Sequence, residues 1–251
     1  MTETIVVKAG GEIVEDDEYL RYLVEDIEFL HERGNKITLV YGGKNRITEE
    51  LSLRYREDPK FTNGLRNTDE RSIEAVQYAL DRLGADIADF FEGHGFRDYE
   101  LFLEGIYAEW QETGSRVGNP IGIKPEIKKS LEHGKIAVVS PLGISEDRTT
   151  YYNVNADGAA YVVAVGVGAD KLIYLTSVDG IIYQGGVVPI ATEDDIRQMT
   201  GRVIFGGMQQ KAFYSLKARR EGVDAVYIAN GQRENPLVSA LSPEGVRTKV
   251  I

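Results

Sequence analysis

Asn153, Asn155 and Asp157 stand at alternate positions just ahead of an apolar run, residues 159–165. The run reads as a buried helix, and an Asn or Asp before it accepts hydrogen bonds from the free N–H groups of the first turn. Capping needs one such residue, so three leave side chains over for another task. A carboxylate at a helix N-terminus stays ionised easily, because the helix dipole favours negative charge there. Asp157 is therefore a candidate to hold cations, which have to come from elsewhere in the chain. Taken alone, the stretch also reads simply as a capped helix.

Two lysines occupy element junctions. Lys8 directly follows the β-branched run Ile5-Val6-Val7, and Lys211 follows Gly206-Gly207-Met208 at a predicted helix start. A cation there opposes the dipole, which points to a function, with a solvated surface lysine as the alternative. The pairs Gly10-Gly11, Gly42-Gly43 and Gly206-Gly207 each sit at such a junction. Turns of this kind present backbone N–H groups with no side chain in the way and suit anions and phosphates. The P-loop pattern is absent, since Gly42-Gly43-Lys44-Asn45 lacks both the upstream glycine and the hydroxyl. Protein-kinase signatures are absent as well, so a nucleotide would need another scaffold.

Composition narrows the chemistry. The 251 residues contain no cysteine, which excludes disulfides and thiolate metal sites. The three histidines, His31, His94 and His133, are far apart in sequence, which argues against a metal centre built on them. A net charge of −11 argues against a nucleic-acid partner, but a pocket on an acidic surface can still be locally basic. No apolar run approaches the roughly 20 residues of a membrane helix, and no targeting segment is evident, so a cytoplasmic protein is expected.

The elements that must position these residues alternate between strands and helices. Strands are expected over residues 5–7, 37–40, 101–103, 136–139, 171–175 and 225–228. Helices are expected over 18–32, 69–91, 125–133, 159–165, 193–199 and 206–221, with another after Lys44. Residues 61–68 read as a loop, 113–123 as a Gly-rich connection and 181–188 as a hairpin. The alternation predicts an α/β fold with a mainly parallel sheet, whose ligands bind where the strands end. A composition shift places a soft boundary between residues 1–168 and 169–251.

Several of these stretches together resemble the amino acid kinase family, and within it the acetylglutamate kinases. They are Val7-Lys8-Ala9-Gly10-Gly11, the 61–69 run FTNGLRNTD, the 153–157 run NVNAD, the 175–181 run LTSVDGI and the 206–211 run GGMQQK. The resemblance implies a three-layer sandwich of two lobes, with residues 1–168 binding the acyl-amino acid and residues 169–251 binding ATP with Mg2+. It also implies direct transfer of the γ-phosphoryl group to the side-chain carboxylate of N-acetyl-L-glutamate, as in arginine biosynthesis. Lys8 and Lys211 would then neutralise the transferring group from two sides, with Asp157 between them keeping both charged and aimed. Gly10, Gly11, Gly42 and Gly43 would donate N–H groups to phosphate oxygens, and Arg66 would clamp the acceptor's free carboxylate. Asn153 would bind the main-chain part of the acceptor, while Thr176, Gly180, Gly207 and Met208 would line the nucleotide site.

The chain also departs from the family. Tyr41 replaces a usual histidine, Lys44 stands where glycine is usual, and Ser177 replaces an Asp or Asn. Lys44 could contact phosphate or point to solvent. The 230–237 run NGQRENPL resembles kinases for aminoadipate or glutamate held on an amino-group carrier protein, for which Arg54, Arg56 and Lys60 would be candidate contacts. A non-catalytic nucleotide or amino-acid sensor and a uridylate or aspartate kinase are further alternatives. The resemblance implies a homodimer insensitive to arginine, joined partly through the 69–91 helix, because the family's extra N-terminal helix is not seen.

Overall fold

The computed structural model describes residues 2–56, 60–62, 64–111 and 115–251; Asn63 of the 61–69 run, and Thr113 and Gly114 of the expected connection, lie outside the described residues. The chain opens with β1 (Thr4–Ala9), α1 (Gly11–Val14), α2 (Asp17–Glu32), β2 (Lys36–Tyr41) and α3 (Lys44–Tyr55). A short hairpin follows, β3 (Phe61–Thr62) and β4 (Leu65–Arg66), then α4 (Ile73–Gly93), β5 (Tyr99–Phe102), β6 (Ile106–Trp110) and β7 (Val117–Ile123). Next come α5 (Pro125–Glu132), β8 (Ile136–Val139), β9 (Leu142–Ile144), β10 (Tyr151–Val154), α6 (Ala156–Val167) and β11 (Lys171–Thr176). The remainder is β12 (Ile182–Tyr183), β13 (Gly186–Val187), β14 (Ile190–Ala191), α7 (Glu193–Met199), α8 (Gly206–Arg220), β15 (Ala225–Asn230), α9 (Pro236–Leu241) and β16 (Arg247–Val250).

One eight-stranded sheet runs in the order β14-β16-β15-β11-β1-β2-β8-β5. Its ladders are parallel except for β15 against β16. Later strands add on opposite sides of β1: β2 and β8 to one side, β11 and β15 to the other. The gap between β1 and β11 is thus a topological switch point, where open α/β sheets leave a crevice at the carboxyl ends of their strands. The sheet crosses residue 169 without a break, because β11 pairs directly with β1.

Side-chain parity on β1 decides which layer each residue meets. Ile5, Val7 and Ala9 enter a core with residues of α2, α4 and α9, while Val6 enters a second core with residues of α5, α6 and α8. The sheet is therefore buried on both faces, the middle of three layers, and its central strands are near-continuous apolar runs. Lys8 shares the parity of Val6, so it points toward α6 and α8.

Four differences from the expected elements have physical reasons. The 113–123 connection is largely strand β7, which with β6, β9 and β10 closes a small barrel. A Cβ on Gly118 would lie 2.5 Å from Tyr152 Cβ, so glycine marks a tight strand approach here, where it had read as a loop. The expected loop at 61–68 contains the β3–β4 hairpin. The long helix begins at Ile73, because the Asp69 carboxylate first accepts the Ser72 N–H (2.8 Å) in a preceding turn. Residues 229–251, for which no element was expected, contain α9 and β16, and α9 is held at its start by Asp26, whose carboxylate accepts the N–H groups of Leu237 (2.7 Å) and Val238 (3.0 Å).

The apolar stripe of α4, including Val76, Leu80, Leu83 and Ile87, is buried in the chain's own core. No helix among the described residues is long and apolar enough to cross a membrane. Replacing Asp26 by Ala leaves two N–H groups of α9 without their acceptor and is expected to destabilise the fold by about 1–3 kcal/mol in urea unfolding. Asp26→Asn keeps an acceptor and should lose clearly less; equal losses would mean that the cap is not what Asp26 contributes.

Candidate active site

Asn155 caps α6, its side-chain oxygen accepting the N–H groups of Asp157 (2.8 Å) and Gly158 (3.4 Å). Capping therefore falls to Asn155, which leaves Asp157 free to point at the sheet from the first turn. Its carboxylate meets Lys8 from β1 and Lys211 from α8, each ammonium 3.3 Å from one oxygen. The Lys211 contact has hydrogen-bond geometry, whereas Lys8 faces Oδ1 as an ion pair without that alignment. All three side chains are more than nine-tenths buried.

The electrostatics of this triad follow from burial and charge. Burial alone would raise the Asp157 pKa, but Lys211 and Lys8 outweigh it and hold the carboxyl below its usual range. Burial lowers the Lys8 pKa, Asp157 opposes that shift, and Lys211 reinforces it. Lys211 stands in the second turn of α8, five residues after Gly206, and not at the helix start as expected. The supposed clash with the dipole is correspondingly weaker, and the ion pair with Asp157 accounts for its burial. Tyr214 closes in behind the triad: a Cβ on Gly158 would come within 2.7 Å of its ring, so only glycine lets α6 approach α8 here. Tyr174, buried in the sheet, donates its hydroxyl hydrogen to the Asp157 carbonyl (3.0 Å).

The triad forms the floor of a cavity of about 550 Å³ at the carboxyl ends of β1, β2 and β11. Gly10, Gly11, Gly42, Gly43, Arg66, Asn153, Thr176, Gly207 and Met208 all line it. The N–H groups of Gly10, Gly11 and Gly43 have no hydrogen-bond partner among the described residues. Gly42 differs, because its N–H donates to the Ala9 carbonyl (2.8 Å) and is not open to an anion. Gly180 lies outside the lining; the adjoining Ile181 N–H is bound instead to Thr248 Oγ1 of β16 (2.8 Å).

Arg66 is buried beside α3, where its Nη2 donates to the Lys44 carbonyl (2.9 Å) and Thr48 Oγ1 (2.6 Å). Its Nη1 is buried without a partner among the described residues. Burial draws the guanidinium down to about 10, which leaves it charged near neutral pH. Asn153 is oriented by donating to Thr68 Oγ1 (2.8 Å). Arg54 of the suspected carrier contact is paired with Glu50 on its own helix and stacked on Tyr78, so it is not a free cation.

Glu12, Phe61 and Gln232 were not singled out by the sequence. Glu12 lines the cavity directly after Gly10-Gly11, and Phe61 lines it from the start of β3, opposite Arg66. The Gln232 side-chain amide donates to the Glu12 carbonyl (3.2 Å), tying the 230–233 turn to α1. Position next to a glycine pair could have drawn attention to Glu12; nothing local in the sequence links Gln232 to it.

A crevice at the switch point of a parallel sheet, floored by two lysines on one aspartate, defines a phosphoryl-transferring kinase built without a P-loop. The model of the amino acid kinase family matches residues 3–230, and the chain belongs to that family. A protein of Kosmotoga olearia named acetylglutamate kinase is 31% identical over 259 residues, covering 99% of this chain and 91% of its own. Another of that name from Geobacter metallireducens is 32% identical over 269 residues, with the same coverage. The solved structure of smu.665 from Streptococcus mutans superposes with a TM-score of 0.83 at 27% identity, covering 99% of both chains.

The triad makes a stability prediction with opposite signs. Asp157→Asn leaves two buried ammonium groups facing each other and is expected to destabilise the unliganded protein by about 3–5 kcal/mol. Because its folded pKa is depressed, the Asp157 contribution is present above the ordinary carboxylate range and is lost as pH falls through the folded value. Lys8 has a lowered folded pKa, so its buried charge works against folding near neutral pH, and that penalty fades as pH rises through the folded value. Lys8→Met should therefore be tolerated or stabilising in the same denaturation series. A loss for Lys8→Met as large as that for Asp157→Asn would contradict this account.

Proposed function

We propose that the chain transfers the γ-phosphoryl group of ATP to the side-chain carboxylate of N-acetyl-L-glutamate, forming an acyl phosphate. The observation that carries this reading is the buried Lys8–Asp157–Lys211 triad on the cavity floor. A carboxylate acceptor is already an anion at neutral pH and needs no general base. Its obstacle is the approach to a polyanion, and two ammonium groups held on one aspartate lower that obstacle without proton transfer. Positioning and charge neutralisation then supply the catalysis, as is general for phosphoryl transfer.

The division of labour follows the lining. Arg66 and Asn153 offer donors to the acceptor from residues 1–168, while Thr176, Gly207, Met208 and Lys211 face the nucleotide from residues 169–251. The open N–H groups of Gly10, Gly11 and Gly43 suit phosphate oxygens. The Mg2+ of the reaction arrives with ATP, bound to its phosphates. The names of the relatives support N-acetyl-L-glutamate as the acceptor. We place the protein in the cytoplasm as a homodimer insensitive to arginine; a hexamer in a mass measurement, or arginine inhibition, would contradict this.

Purified protein with ATP, Mg2+ and N-acetyl-L-glutamate is expected to form hydroxamate in step with ADP when hydroxylamine is present. Lys8→Ala and Lys211→Ala should each lower that rate on the order of 10²–10³, by analogy with removal of one stabilising donor from a transition state. A loss below threefold for either variant would remove it from the assigned role. ADP release without hydroxamate would exclude an acyl phosphate product.

A further inference from the structure

Lys44 is the first residue of α3, at the turn made by Gly42-Gly43. The first turn of α3 has no acidic residue, so a cation there is opposed by the dipole and unassisted by a neighbour. Arg46, two residues on, is compensated by Asp86 at 3.1 Å. Lys44 has no carboxylate within ion-pair reach among the described residues, although its side chain is free to turn to solvent. Its ammonium lies instead 5.1 Å from the centre of the Phe61 ring, inside the cavity lining.

The guanidinium of Arg66 lies 4.9 Å from the same ring. Two cations that share one ring stand within about 10 Å of each other, no more than one Debye length at ordinary ionic strength. Cation–π attraction favours each of them separately, but their mutual repulsion goes unbalanced until an anion joins them. Arg66 has the donor for such an anion, since its buried Nη1 is without a partner and its Nη2 is already tied to α3. The ammonium of Lys44 and the guanidinium of Arg66 thus both stand beside the Phe61 ring in the cavity lining, and neither belongs to the triad.

We infer that Lys44 is a specificity-determining residue that, with Arg66 and across Phe61, reads the acceptor carboxylate that is not phosphorylated. The inference rests on the reading of the site as a carboxylate kinase and goes beyond it in assigning Lys44 a part in acceptor selection. The acceptor carries two carboxylates, one for the triad and one for the Lys44–Arg66 pair. Guanidinium geometry fixes the orientation of the second carboxylate, and the point charge of Lys44 adds affinity that depends on salt. Lys44 does not touch the transferring phosphoryl group, so its removal weakens acceptor binding and leaves the chemical step alone.

The test compares wild type, Lys44→Gln and Lys44→Arg with two acceptors, N-acetyl-L-glutamate and its α-amide, which lacks the second charge. Lys44→Gln is expected to raise KM for N-acetyl-L-glutamate about tenfold, with kcat and KM for ATP within twofold of wild type. The preference for the acid over the amide should shrink by the same factor, and Lys44→Arg should restore it. Unchanged KM and preference in Lys44→Gln would overturn the inference, as would equal losses on both acceptors or a fall in kcat alone. If wild type fails to turn over N-acetyl-L-glutamate, calorimetric titration with glutarate still decides the point. Binding that weakens about tenfold in Lys44→Gln would support the pair although the proposed reaction fails, and equal or absent binding would overturn it.

Discussion

A carboxylate buried between two ammonium groups constrains this molecule more than any other contact. None of Lys8, Asp157 and Lys211 can be taken out of water alone without a large desolvation penalty, and their mutual attraction makes the burial tolerable. The triad draws on the central strand, the first turn of α6 and the second turn of α8. Those elements must meet at one depth and on one face of the sheet. The parity of β1, the Asn155 cap that frees Asp157, and the glycine at 158 that admits Tyr214 all serve that meeting. The net charge of the site without ligand is an invitation to anions, which is the state a phosphoryl-transfer site should be in before its substrates arrive.

The position of β1 at the switch point explains why one cavity can serve two ligands. The β2 side brings Gly42, Gly43 and, through α3 and the hairpin, Arg66; the β11 side brings Thr176 and leads on to α8 with Gly207, Met208 and Lys211. Sheet register aligns the strand ends: Ala9 pairs with Tyr41 on one side and with Leu175 on the other. Helices departing from those ends enclose a space whose floor is cationic and whose rim carries open N–H groups. The cavity therefore draws its lining from both sides of β1, with the triad as its floor.

Much of this was legible in the sequence because its signals are local. Buried parallel strands show as short apolar runs, and Asn155 and Asp157 announce a helix start with a carboxylate left over. Glycine was the main source of error, since the residue supports both loops and close strand approach. In β7 it permits Tyr152 to pack on Gly118, and only the closed barrel shows which use applies. Gly42 misled differently: its place in the lining was right, but its N–H serves the Ala9 carbonyl. Contacts such as Asp26 with α9, or Gln232 with Glu12, join residues more than 200 positions apart, and no periodicity or spacing reports them. Lys211 was found through its motif, although it is not the helix-start cation that had pointed to a function: it stands in the second turn of α8, paired with Asp157.

The link from Gln232 to the carbonyl of Glu12 bears on the order in which the chain is made. Synthesis runs from the N-terminus, and domains generally fold as their segments become available. The first glycine turn is made before Lys211, and Lys211 before the 230–233 turn, which supplies the side chain that steadies α1. A chain halted before that point lacks one ammonium of the triad and the brace on its phosphate-facing turn. The triad and its neighbouring turn are thus completed only when residues from both sides of the sheet are present.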